Sequence, residues 1–154
     1  SAASDVYKRQ GFKHRQQVYA DGRFTVMDDS YNASPASMKA ALDVFKGLTG
    51  KRHIAVLADM KELGENYLAY HREVGEYAAN SGVDLVVTLG EASKCLAEGV
   101  RAVKEIPVVE FLDRDEMVKY LEQEVKDGDC ILFKGSNSMG LSAVADKFAE
   151  LEEK

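Results

Sequence analysis

Three short stretches concentrate the groups able to hold or polarise a ligand. Residues 28–35, Asp28-Asp29-Ser30-Tyr31-Asn32-Ala33-Ser34-Pro35, place two carboxylates, a phenol, an amide and a helix start in one loop. Such a loop offers charge and free helix amides together. The alternative is a turn in which Asp29, Asn32 and Ser34 merely cap the helix. In residues 58–65, Asp59 suits an ammonium and Lys61 an anion, against the alternative of a solvated charged loop. Residues 133–140, Phe133-Lys134-Gly135-Ser136-Asn137-Ser138-Met139-Gly140, form a glycine- and hydroxyl-rich turn suited to presenting backbone N–H groups to an anionic ligand. Leu141 stands where a phosphate-binding P-loop needs lysine, so this turn is not one. His53, beginning an apolar run, and His71, on a helix, read as structural, and Met139 as packing. Glu116, Glu122 and Glu124 read as a wet helix face.

These stretches sit between regular elements. Two strands, 16–20 and 23–27, flank Asp21-Gly22, a favoured two-residue hairpin turn. Ser34-Pro35 caps and opens a helix whose Met38, Leu42 and Phe45 recur at helical spacing as far as Gly47. Strand and helix then alternate. The run 53–57 precedes a helix with Tyr70, Val74, Tyr77 and Ala78 on one face, stopped at Ser81-Gly82. The run 85–89 precedes a weaker helix over 92–100. Residues 108–111 precede a helix opened by Asp113-x-x-Glu116, with Met117, Leu121 and Val125 as its buried face. Residues 130–133 form the last strand, and Leu141, Val144, Ala145, Phe148 and Leu151 the apolar stripe of a closing helix. Near-continuous apolar strands alternating with helices predict a Rossmann-like three-layer α/β/α domain, its sheet mostly parallel with an antiparallel N-terminal hairpin. Ligands in such sheets collect beyond the carboxyl ends of the strands, where residues 28–34, 58–65, 90–91 and 134–140 all fall.

The 154 residues, 45% of them hydrophobic, suffice for one compact domain. Residues 1–11 read as a tag, scar or disordered leader and 12–154 as the domain. A net charge of -6, from 26 acidic and 20 basic residues, opposes a nucleic-acid partner. Cys95 and Cys130 stand in no metal-binding or disulfide pattern, and cytoplasm is the expected compartment. No apolar run approaches the roughly 20 residues that span a bilayer.

Three motifs in order carry a resemblance. Tyr31-Asn32-Ala33-Ser34-Pro35-x-Ser37-Met38-x-Ala40-Ala41, then Asp59-Met60-x-Glu62-Leu63-Gly64 with His71-x-x-Val74-Gly75, then Lys134-Gly135-Ser136 with Met139, resemble the third, carboxy-terminal domain of the Mur ligases over about residues 12–151. The loop at residues 31–35 resembles that of the family member acting on D-alanyl-D-alanine. Ser34 replaces an asparagine common in relatives, and Asn137 an arginine.

The resemblance implies an ATP-dependent carboxylate–amine ligase of peptidoglycan biosynthesis. ATP, with magnesium, would phosphorylate the carboxylate of a UDP-N-acetylmuramoyl-tripeptide, and the amine of D-alanyl-D-alanine would displace the phosphate. It implies that this domain closes over ATP held, with magnesium, mainly by a central domain, and positions the dipeptide. The central and N-terminal domains would be its partners, and the isolated chain would be inactive. It places Arg15, Asp29 and Asn32 toward ATP, and Asp59, Lys134 and Ser136 toward the incoming amino component, with no catalytic residue in this domain. Two other readings stand beside it: a stand-alone ligand-binding module, and a receiver-type phosphoacceptor domain, whose order of acids, threonine and lysine Asp28-Asp29, Asp59, Thr88 and Lys134 imitate. A receiver needs a further strand and helix between Asp29 and Asp59, and a proline after Lys134; neither is present.

Overall fold

The computed structural model of the chain describes residues 13–150. The leader expected at 1–11 and the Leu151 expected on the closing helix lie outside the described residues. Six strands form one sheet: β1 (Gln17–Tyr19), β2 (Thr25–Asp28), β3 (His53–Ala58), β4 (Leu85–Leu89), β5 (Val108–Phe111) and β6 (Cys130–Lys134), in the order β1-β2-β6-β3-β4-β5. Every pairing is parallel except β1 with β2. β3, β4 and β6 are almost wholly apolar, as strands covered on both faces must be.

Five α-helices of the described residues cover the sheet: α1 (Pro35–Lys46), α2 (Tyr67–Ala79), α3 (Ser93–Val103), α4 (Arg114–Glu124) and α5 (Leu141–Phe148). α1, α2 and α3 pack with Met27, Ala55, Leu57, Val86 and Leu132 on one face. α4 and α5 pack with Val26, Ile54, Val56, Val87 and Ile131 on the other. The connections from β2 to β5 step one way across the sheet with their helices on one face. The step from β5 back to β6 reverses, and α4 lies on the opposite face. A constant right-handed crossover demands that change of side.

Local chemistry explains most element ends. Ser34 and Ser37 exchange reciprocal bonds across the first turn of α1, Ser37 N donating to Ser34 Oγ (3.1 Å) and Ser34 N to Ser37 Oγ (2.9 Å), with Pro35 at the first helical position. Met38, Leu42 and Phe45 on this helix are fully buried, each contributing about 2 kcal/mol of transfer free energy. Asp113 caps α4 by accepting from Glu116 N at 2.9 Å. α2 and α3 meet through glycine: a Cβ on Gly75 would stand 1.9 Å from Leu96 O, and one on Gly99 2.2 Å from Arg72 O. No helix among the described residues is long and apolar enough to cross a membrane.

Two expectations are corrected. The β1–β2 connection is not a two-residue turn at Asp21-Gly22, because Tyr19 pairs with Val26 and five residues lie between the strands. Gly22 lacks the positive φ of a type I′ turn. The segment is drawn instead toward the loop before β6: Gly128 N donates to Arg23 O (2.8 Å) and Thr25 N to Asp129 O (2.9 Å). On α2 the buried face is turned by one residue, with His71 fully inside and Tyr70 exposed. His71 earns that place by hydrogen bonding: Met60 N donates to its Nε2 (2.9 Å) and its Nδ1 donates to Tyr67 O (2.6 Å). That pattern satisfies a polar ring that its hydrophobicity alone would leave outside.

Candidate ligand-binding edge

The carboxyl ends of β2, β6 and β3 lie side by side, so the loops at 28–34, 134–140 and 58–65 form one edge. The β2–β6 pairing runs one residue past the strands, Asp29 N donating to Phe133 O at 2.9 Å. This sets Asp29 beside Lys134. Lys134 is 2% exposed; its Nζ lies 2.9 Å from Asp29 Oδ2 and donates to Asn32 O (2.9 Å) and Asp29 O (3.4 Å). Its three protons thus have three acceptors. The lysine fastens the 28–34 loop to the central strand.

The lead-in residues 14–16 lie across the same loop. Tyr31 N donates to His14 O (2.9 Å) and Gln16 N to Asp29 Oδ1 (3.1 Å). The Arg15 guanidinium stacks over the Tyr31 ring at 4.0 Å from its centroid. Arg15, Asp29, Tyr31, Asn32, Ser37 and Lys134 line a cavity of about 310 Å³. The three residues expected toward ATP therefore converge, with Arg15 and Asn32 exposed and Asp29 buried behind them.

Asp28 faces away from this cavity and is 1% exposed. Burial pushes its carboxyl up from the ordinary carboxylate range, opposed by the bonds it accepts from Ser30 and His14. Ser30 N (3.2 Å) and Ser30 Oγ (2.6 Å) donate to Oδ1, and His14 Nδ1 lies 2.6 Å from Oδ2. Ser30 Oγ also lies 2.9 Å from Ser142 Oγ on α5. The reading of residue types missed this network. The paired acids Asp28-Asp29 were its one visible sign.

Asp59 points inward. Ser93 N (2.8 Å) and Ser93 Oγ (2.7 Å) donate to its Oδ1, and Ala92 N (3.3 Å) to its Oδ2, so it caps the start of α3 from a neighbouring strand. Gly90 is required beside it, for its φ is +118° and a Cβ would stand 2.4 Å from the carboxylate. An acid so enclosed, 5% exposed, is ill suited to accept a phosphoryl group. Ser136 joins two loops: Lys61 N donates to its Oγ (2.8 Å) and its own N donates to Asp59 O (3.0 Å). Asp59, Lys61, Leu63, Tyr67, Leu68 and Cys95 line a second, larger cavity of about 740 Å³. Its apolar side was not anticipated; the exposed Tyr67 and Leu68 lie on the outer turn of α2 and give no periodic signal.

The chain has counterparts among known proteins. The chain is 41% identical over 125 residues to the UDP-N-acetylmuramoyl-tripeptide–D-alanyl-D-alanine ligase of Haemophilus influenzae, covering 77% of this chain and 26% of that protein. It is 31% identical over 135 residues to the ligase of the same name from Bacillus subtilis, covering 86% and 30%. It thus spans about a third or less of the length of these relatives. Among solved structures, MurF ligase from Thermotoga maritima in complex with ADP superimposes with a TM-score of 0.75 at 26% identity, over 97% of this chain and 33% of that one. MurF from Acinetobacter baumannii does so with a TM-score of 0.77 at 27% identity, over 94% and 32%. The model of the "Mur ligase, glutamate ligase domain" family matches residues 14–137, from the histidine beside Arg15 to the turn after Lys134, and the chain belongs to that family.

Proposed function

We propose that the chain is the carboxy-terminal domain of an ATP-dependent ligase that joins D-alanyl-D-alanine to a UDP-N-acetylmuramoyl-tripeptide. The observation that carries the reading is the meeting of Arg15, Asp29, Asn32 and Lys134 around one cavity at the carboxyl edge of the sheet, in a chain whose relatives bear that ligase's name. An exposed guanidinium, permanently charged and forked, fits the phosphates of a nucleotide, and the Asn32 amide offers it a neutral polar contact.

ATP in this reading would supply the phosphoryl group that makes one carboxylate oxygen a good leaving group, departing as phosphate when the amine attacks the carboxyl carbon. This domain's residues bind and orient. Arg15 meets nucleotide phosphates while Asp29 and Lys134 hold the loop that carries Asn32. Asp59 and Ser136 shape the neighbouring loops, where Lys61 and the backbone of 134–140 face the dipeptide. Asp29 is already engaged by Lys134 and Gln16, so magnesium falls to residues outside this domain. Holding an amine against an activated carboxyl supplies much of the acceleration in such a reaction.

The test joins this chain to the N-terminal and central domains of a relative and follows ADP release dependent on both UDP-muramoyl-tripeptide and D-alanyl-D-alanine. Release that falls at least tenfold in Arg15→Ala is the expected result. A folded chimera that releases ADP with another amino acid but not with D-alanyl-D-alanine would overturn the acceptor, and silence with every acceptor would overturn the ligase reading.

A further inference from the structure

We infer that His14 and Asp28 are positioning residues that aim Arg15 at its anionic ligand. The inference rests on the reading above only in taking that ligand to be a nucleotide phosphate. Arg15 is flanked by two non-glycine residues in the left-handed region, His14 at φ 65° and Gln16 at φ 50°. Such backbone persists only where its surroundings over-determine it. Two successive carboxylates supply that constraint from opposite sides of the arginine. Asp28 Oδ2 holds His14 Nδ1 at 2.6 Å, and Asp29 Oδ1 accepts from Gln16 N at 3.1 Å. His14 is held at its backbone as well, its N donating to Gln17 Oε1 (2.8 Å) and its O accepting from Tyr31 N (2.9 Å). The kink lays the guanidinium on Tyr31.

The two anchors differ in depth. Asp29 also serves Lys134, whereas Asp28 is tied through Ser30 to Ser142 on α5. The orientation of Arg15 is thereby referred to a helix packed on the far face of the sheet. Asp146 on α5 joins His14 and Asp28 in a cluster whose ligand atoms all lie within 4.8 Å, and Tyr19 on β1 feels both acids. The negative field around the imidazole favours its N–H pointing at Asp28. Arginine is a long side chain, and fixing its backbone in advance removes part of the ordering cost of binding.

The experiment measures labelled-ADP binding to the three-domain chimera, and amide exchange at Gln16 and Tyr31 in the chain itself. His14→Ala should raise the Kd for ADP roughly tenfold, as when the competent orientation falls to about a tenth of the population, with exchange at Tyr31 accelerated. His14→Asn, whose amide nitrogen occupies the place of Nδ1, should recover most of the affinity, and His14→Gln, whose nitrogen sits further out, should not. Asp28→Asn should resemble His14→Ala. Wild-type Kd in His14→Ala, or a His14→Asn no better than the alanine variant, overturns the inference; faster exchange without weaker binding would mark the pair as structural and overturns it too. A chimera that binds ADP with this pattern yet ligates nothing would leave the inference standing and remove the proposed reaction.

Discussion

Lys134 and Asp29 provide a quantitative test of whether this edge is held by a buried ion pair. Lys134→Met keeps the unbranched stem and removes the ammonium, stranding a carboxylate that is 6% exposed and retains the Gln16 amide as its remaining bond. Breaking a buried pair from one side costs about 3–5 kcal/mol. Two backbone carbonyls, of Asn32 and Asp29, lose a donor as well, but the exposed Asn32 can turn to water, which places the expectation near 4 kcal/mol. Asp29→Asn leaves the ammonium with those two carbonyls and should cost about 2–3 kcal/mol. The double variant strands neither charge, so its cost should stay near that of Asp29→Asn, giving a coupling energy of about 4 kcal/mol. Domains of this size are stable by about 5–15 kcal/mol, so each variant remains measurable. Urea denaturation of the four proteins yields the cycle, and Lys134→Met should lower Tm by roughly 10 °C. A Lys134→Met cost below about 1 kcal/mol, or single costs that add to within about 0.5 kcal/mol, would refute the argument and return the lysine to a ligand-facing role.

Two further outcomes follow from burial. Gly75→Ala or Gly99→Ala should each destabilise the domain by about 3 kcal/mol in urea, since neither backbone carbonyl opposite can retreat without parting α2 from α3; wild-type stability would contradict the close approach. Cys130 is fully buried, and burial, with Asp129 nearby, pushes its thiol from 9.0 up to about 12. A folded value above the unfolded one means stability that is whole below pH about 9 and lost as pH rises toward 12. The loss runs at about 1.4 kcal/mol per pH unit once the unfolded thiol ionises. Cys130→Ala should flatten that decline, and an unchanged slope would count against it.

Much of this architecture is readable in the chain because its signals are local. The apolar runs of β3, β4 and β6, the Ser34-Pro35 cap and the Asp113 cap each declare an element within a few residues. The charged residues at the strand ends, Asp28-Asp29, Asp59 and Lys134, are equally local and mark the carboxyl edge of the sheet. What stays hidden is set across the sheet. That Asp59 turns inward depends on Ser93, 34 residues on, beginning a helix beside it. The His14 to Asp28 bond spans 14 positions and the Ser30 to Ser142 contact 112. The buried face of α2 was misjudged by one residue because His71 scores as polar, while its two backbone partners make it an inside residue. The turn at Asp21-Gly22 failed for a similar reason, since a distant loop competes for Arg23.

The place of β6 bears on how the domain comes into being. The last strand of the described residues is a middle strand of the sheet, between β2 and β3. As the polypeptide leaves the ribosome, β3, β4 and β5 can associate, and β1 with β2, but the two groups have no strand to join them until residue 134 has emerged. Until then β2 and β3 each present an unpaired edge, the kind that invites pairing with other chains. A truncation between residues 112 and 130 would therefore split the sheet in two instead of trimming its rim, and the sequence-distant pairing of β2 with β6 should make final assembly the slow step.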